Sequence, residues 1–204
     1  MKFMLKLVGI VVVVVLVLAA GALVYLRSTG LSARGTPSAL ETRVARAARA
    51  AAIPREDRQR HNPVPASAEA LADGMAHFAD HCATCHGNDG RGDTDFGRGL
   101  FPKPPDMRAA ATQGLTDGEL FYIIENGVRF TGMPAFGSGD GSGAEDTWRL
   151  VHFIRAVPRL TPDQIAKMEA LNPRSPEEIR QQIAEEESST GGKQPPPHSK
   201  PHRH

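Results

Sequence analysis

Cys82 and Cys85 are the only two cysteines in this 204-residue chain, and His86 directly follows the second, in the stretch HCATCHGNDG. Such a pair admits three chemistries. A redox dithiol of the thioredoxin kind belongs at a helix start after a strand, and no alternating apolar run of useful length precedes the motif. A zinc site needs four converging ligands. His81 and His86 flank the cysteines, but four groups within a turn and a half of helix cannot surround one ion tetrahedrally. The third chemistry is covalent attachment of haem. One helical turn separates the two thiols suitably for addition across two vinyl groups, and His86 then meets the iron from the same side.

Composition agrees with a cofactor-centred core. Only 5% of the residues are aromatic, so side chains alone would build a thin interior, whereas a large apolar cofactor acts as core itself. The length suits one modest domain with appendages. A net charge of +1 gives no support to nucleic-acid binding.

The periodicity predicts an all-α fold. Ser67 caps a helix with Glu69 in its first turn and Leu71, Met75, Phe78 and Cys82 on one stripe. Short turns follow from Asp106. TDGELFYIIENG reads as a helix with a Thr116–Glu119 capping box and Gly127 as its stop. GSGDGSGAED is a loop, and AEDTWRLVHFIRAV a helix with acids first and arginines last, ended by Pro158.

Four segments emerge. Residues 1–27 hold a cytoplasmic start with Lys2 and Lys6, then Leu7–Leu26, twenty uncharged residues that span about 30 Å as a helix. A transmembrane anchor with an exported C-terminal side is expected; a signal peptide cut near Ala20 and Ala22 is the alternative. Arg27, Arg34 and Arg43 weaken the charge asymmetry, so the orientation leans on the haem motif. Residues 28–66 carry seven arginines against three acids: a basic helix capped by Ser38 and Glu41, with Arg43, Arg46 and Arg49 on one face, then an extended linker around Pro63 and Pro65. Residues 67–160 form the haem domain, with thirteen acids against eight bases. Residues 161–204 form a helical extension, with Thr161 and Ser175 as caps before prolines, and a disordered tail whose His198, His202 and His204 could hold a metal loosely.

A second axial iron ligand is expected opposite His86. Met133, between Gly132 and Pro134 in a stiff loop, is the first candidate. Met107, in a proline-rich stretch better suited to the histidine side, His152 and Met75 are weaker ones.

CATCHG at 82–87 and GMPAF at 132–136, with the helix GMAHFADHC and the helix WRLVHFI, resemble a membrane-anchored, monohaem class I cytochrome c of bacterial type. The resemblance covers about Ser67 to Leu160. It implies one covalent haem c on Cys82 and Cys85, with His86 and Met133 as axial ligands. It implies that Gly74 and Phe78 cross against Leu150, Val151 and Phe153. It also implies that a carbonyl of Pro102, Pro104 or Pro105 receives the His86 ring proton, and Arg91, Arg98 and Arg108 are candidate partners of the two propionates.

The function expected is single-electron transfer rather than catalysis, since soft methionine sulfur favours ferrous iron and both axial positions are filled. The expected place is the bacterial inner membrane, with the haem domain in the periplasm and redox proteins, including a respiratory complex, as partners. The acidic haem domain would dock on basic partners, and the linker would give it reach. The alternatives are a fixed haem subunit of a dehydrogenase or oxidase, and a haem enzyme or gas sensor in which Met133 leaves the iron.

Overall fold

The computed structural model describes residues 2–30, 32–174 and 176–190. All regular structure among them is helical. Helix α1, Lys2–Thr29, stands free of the rest with its side chains exposed, and it is long and apolar enough to cross a membrane. Helix α2, Ala39–Ala52, begins at the expected Ser38–Glu41 capping box. Helix α4, Ala68–His77, starts at Ser67, whose hydroxyl accepts from the Ala70 N–H at 3.0 Å. It runs on through a π turn, Phe78–Cys82, into α5, Ala83–His86. After the short α6, Ala110–Gln113, come α7, Asp117–Asn126, and α8, Ala144–Ala156. The Thr116–Glu119 box opens α7 as expected.

Helices α4 and α8 cross at the centre, as the family resemblance implied. Gly74 makes this possible: a β-carbon there would lie 2.8 Å from the Arg149 carbonyl carbon and 3.1 Å from the Phe153 β-carbon. Phe78 and Phe153 are fully buried, with ring centroids 5.0 Å apart. Leu150, Val151 and Ile154 fill the same layer. Burying each such side chain stabilises the fold by about 1.5–3 kcal/mol. Phe121 of α7 stacks on Trp148 of α8 at 4.1 Å. Arg155 ties the two helices together, donating to the Asp117 carboxylate at 2.8 Å and to the carbonyls of Gln113 and Leu115.

Two parts of the chain differ from expectation. The linker after Pro54 is not a free extended spacer. One helical turn, α3, Arg55–Arg58, packs on α7. Ile53 is buried, the Thr116 hydroxyl donates to the Arg58 carbonyl at 2.8 Å, and Asn62 donates to the Trp148 carbonyl at 2.9 Å. His152 hydrogen-bonds the Val64 carbonyl at 2.8 Å, and the Arg60 guanidinium lies 4.2 Å from the Phe121 ring centroid. Pro63 and Pro65 do exclude regular backbone pairing, but they leave carbonyls free to accept from side chains. The second difference lies after α8. That helix stops at Ala156 and a 3₁₀ turn, Val157–Arg159, takes up Pro158. Helix α9, Pro162–Glu169, capped by Thr161, then places Met168 fully inside the core. A few apolar residues that could not form a core alone thus complete an existing one. Helix α10 spans Pro176–Thr190. The Ser175 cap and the tail with His198, His202 and His204 lie outside the described residues.

Candidate functional site

Between α5 and the chain leading to α8 lies an apolar cleft, partly open to solvent. Phe78, Leu120, Ile123, Ile124, Leu150 and Ile154 supply its floor, and Cys82, Cys85 and His86 face it from one side. Met133 and Pro134 border it too, as do Pro102, Pro104, Pro105 and Met107.

The backbone around the motif is pinned through its carbonyls. A helix end leaves carbonyls without intrahelical partners, and here the following loop satisfies them. The Gly92 N–H donates to the His86 carbonyl at 2.7 Å, and the Thr94 hydroxyl to that of Thr84 at 2.8 Å and of Cys85 at 3.2 Å. The Met107 N–H then donates to the Gly90 carbonyl at 2.8 Å, which fixes Met107 to the loop behind His86. Met133 is held differently. Gly127 ends α7 at φ +64°, and any β-carbon there would strike the Pro134–Ala135 backbone, so only glycine lets the loop fold back. The Val128 N–H donates to the Met133 carbonyl at 3.1 Å, and the Phe136 N–H to that of Ile124 at 3.0 Å. Among the candidates for a second ligand, His152 is engaged by Val64 and does not border the cleft. Met75 packs against the core outside it. Met107 borders it but belongs to the His86 loop.

The donor chemistry fits haem. His86 is 8% exposed, and its Nδ1 is a buried polar atom without a hydrogen-bond partner. Leaving such a group unmatched costs about 1–3 kcal/mol. Burial pushes the imidazole down to about 4, only partly offset by the pull of the Pro105 carbonyl. The ring is therefore neutral at pH 7, as a metal ligand must be. Of Pro102, Pro104 and Pro105, the Pro105 carbonyl is the one that favours the charged ring, although it makes no hydrogen bond with Nδ1. Burial, with Cys85 close by, pushes the Cys82 thiol up to about 12, and burial also raises Cys85.

None of Arg91, Arg98 and Arg108 borders the cleft. Arg91 pairs with Asp89 at 2.9 Å, Arg98 with Asp93 at 2.8 Å and also with Asp95, and Arg108 with Asp106 at 2.7 Å. Each sits within a few residues of an acid, and short-range pairing takes it before the cleft can. The cations that do border the cleft are Lys103 and Arg49. The sequence signal for Arg49 was only its place on the basic face of α2.

Comparison with known families agrees with this geometry. Residues 69–154 match the family described as Cytochrome C oxidase, cbb3-type, subunit III. The match spans less than half of the chain, and α1, α2, α3, α9 and α10 lie outside it. No curated protein matches the chain. The match over residues 69–154, together with an all-helical domain that sets a cysteine pair and a buried histidine on an apolar cleft, supports a class I c-type cytochrome domain and haem-based electron transfer.

Proposed function

We propose that this chain is a membrane-anchored cytochrome that passes single electrons through one haem, bound covalently by Cys82 and Cys85 and ligated axially by His86 and Met133. The observation that carries the reading is the arrangement of the cleft, with the buried, neutral His86 on one side and the Met133 loop, braced by Gly127, on another. The group bound there supplies a reversible one-electron iron couple. The chain does the rest. Cys82 and Cys85 fix the group against α5, while Pro105 orients the His86 ring and raises its basicity. Met133 would supply the second protein ligand to the iron, which would leave no open site for a substrate and favour electron transfer. The apolar lining excludes water, which limits solvent reorganisation when charge changes. Helix α1 supports anchoring by one span, with the domain on the periplasmic side of a bacterial inner membrane.

The visible spectrum tests this, taken oxidised and reduced, with and without carbon monoxide, on protein expressed with haem-attachment machinery. A six-coordinate, low-spin spectrum indifferent to carbon monoxide is expected in the wild type. Met133→Ala should open the iron to carbon monoxide and lower the potential. An unchanged spectrum in that variant refutes Met133 as ligand, and a wild type sensitive to carbon monoxide points instead to an enzyme or sensor. The matched family is named for an oxidase subunit, and this favours a second reading, a fixed haem subunit of such a complex. Stoichiometric co-purification of other subunits from native membranes would decide for it.

A further inference from the structure

We propose that Arg49, on helix α2 upstream of the cytochrome domain, binds a haem propionate, so that the juxtamembrane helix is itself part of the haem site. The inference rests on the haem reading above. A haem brings two carboxylates into a cleft that is otherwise apolar, and a carboxylate leaving water needs a charged partner. Of the residues bordering the cleft, Arg49 and Lys103 alone carry a full positive charge, and none is an acid. Lys103 is exposed, whereas Arg49 is half-buried.

Other arginines around the site are engaged. Arg91, Arg98, Arg108, Arg149 and Arg155 each hold a carboxylate of the protein. Arg129, beside Val128 of the cleft, is exposed and does not itself border it. Arg49 makes no side-chain hydrogen bond or ion pair among the described residues. Glu119 is the acid whose charge reaches it, and Glu119 is already committed: its carboxylate accepts from the Thr116 N–H at 2.8 Å and lies 4.0 Å from Arg58. Burial is the largest influence on Arg49 and disfavours its charge, with Arg46 adding to that. A guanidinium held half out of water beside an apolar cleft, with no anion of its own, is matched by one carboxylate of the cofactor.

The position of α2 is consistent with this role. Thr42 and Arg49 are its partly covered residues, Ile53 just beyond it is buried, and Leu40 and Val44 are exposed. At about 100° per residue, Thr42, Arg49 and Ile53 share one face, and Leu40 and Val44 lie on the opposite one. That inner face offers little apolar area, so Arg49 and the propionate would hold α2 in place. If they do, only nine residues, 30–38, separate α1 from a helix fixed to the haem site, about 30 Å at full extension, well short of a long tether.

The test uses the full-length, haem-loaded chain in detergent, comparing wild type, Arg49→Gln, Arg49→Lys and Arg46→Gln. Three quantities are read: the visible spectrum, the midpoint potential, and hydrogen exchange across residues 39–52. Arg49→Gln is expected to keep the low-spin spectrum, to lower the potential, and to speed exchange in α2 by tenfold or more. Arg49→Lys should recover part of the potential, and Arg46→Gln, on an exposed residue that does not border the cleft but whose charge reaches Arg49, should keep the low-spin spectrum and the wild-type exchange rate in α2. Wild-type potential and wild-type exchange in Arg49→Gln would overturn the inference while leaving the haem reading intact. A wild type without a low-spin haem spectrum would overturn both.

Discussion

Replacing Gly74 by alanine sets the close crossing of α4 and α8 against intrinsic helix preference. The added methyl would lie 2.8 Å from the Arg149 carbonyl carbon, nearer still to its oxygen, and 3.1 Å from the Phe153 β-carbon. Carbon–carbon contacts are comfortable at about 3.5–4.0 Å, so the helices must part by roughly 1 Å. Backbone atoms cannot rotate aside, and parting also loosens the Phe78–Phe153 contact. Overpacking of this kind costs about 1–3 kcal/mol, with the rigid neighbours here placing it at the upper end. Alanine returns about 1 kcal/mol of helix propensity. The net expectation is a loss of about 2 kcal/mol. Urea unfolding of the haem-loaded protein, followed by the fluorescence of its single tryptophan, Trp148, should show the midpoint falling by about 1 M. Gly99→Ala is the control, because nothing lies within 4 Å of its added carbon; it should stay within about 0.5 kcal/mol of wild type. A Gly74→Ala protein as stable as wild type would show that the two helices have slack and that the argument from close approach is wrong.

Three further outcomes are expected. Gly118→Ala places a β-carbon against the Asp57 carbonyl and 3.0 Å from that of Arg60; limited proteolysis should then cut between residues 54 and 62 at least tenfold faster, with the visible spectrum unchanged. Arg155→Ala removes a bridge from α8 to Asp117 and two carbonyls, and charge-assisted bonds in a partly exposed site are worth about 1.5–3 kcal/mol, read as a lower urea midpoint. The side-chain hydrogen bond from Arg108 holds the Asp106 carboxyl below its ordinary 3.8. Its contribution is therefore complete above pH 3.8 and lost as pH falls through the lowered value. Acid titration of the visible spectrum should show this loosening near Pro105 in the wild type and not in Asp106→Asn.

Local signals were the ones legible in the sequence. Ser38, Ser67, Thr116 and Thr161 each announced a helix start, because a cap is a contact between residues three apart. The cysteine motif and the glycine–methionine–proline loop marked the site for the same reason: their chemistry is written in consecutive residues. The docking of residues 53–64 was not legible, since it depends on Gly118, Trp148 and Thr116, more than fifty residues downstream. One trace was present. A glycine in the first turn of α7 has no local purpose, and its reason is the Asp57 carbonyl against it. Arg91, Arg98 and Arg108 were read as candidate propionate partners without the acids beside them, with which they pair in the fold.

The π turn at Phe78–Cys82 has a consequence for how such a site can change. The Ala83 N–H reaches back five residues to the Phe78 carbonyl, so the turn holds one residue more than an α turn would. Angular phase is thereby reset between scaffold and motif. Upstream, Gly74 and Phe78 are timed to α8; downstream, Cys82, Cys85 and His86 are timed to the cleft. Deleting a single residue inside the turn would swing the second set about 100° about the helix axis relative to the first. The thiols would then point away from the cleft although every cleft residue remained in the chain. The extra residue works as a clutch, letting the aim of the attachment site be adjusted while the core packing behind it stays fixed.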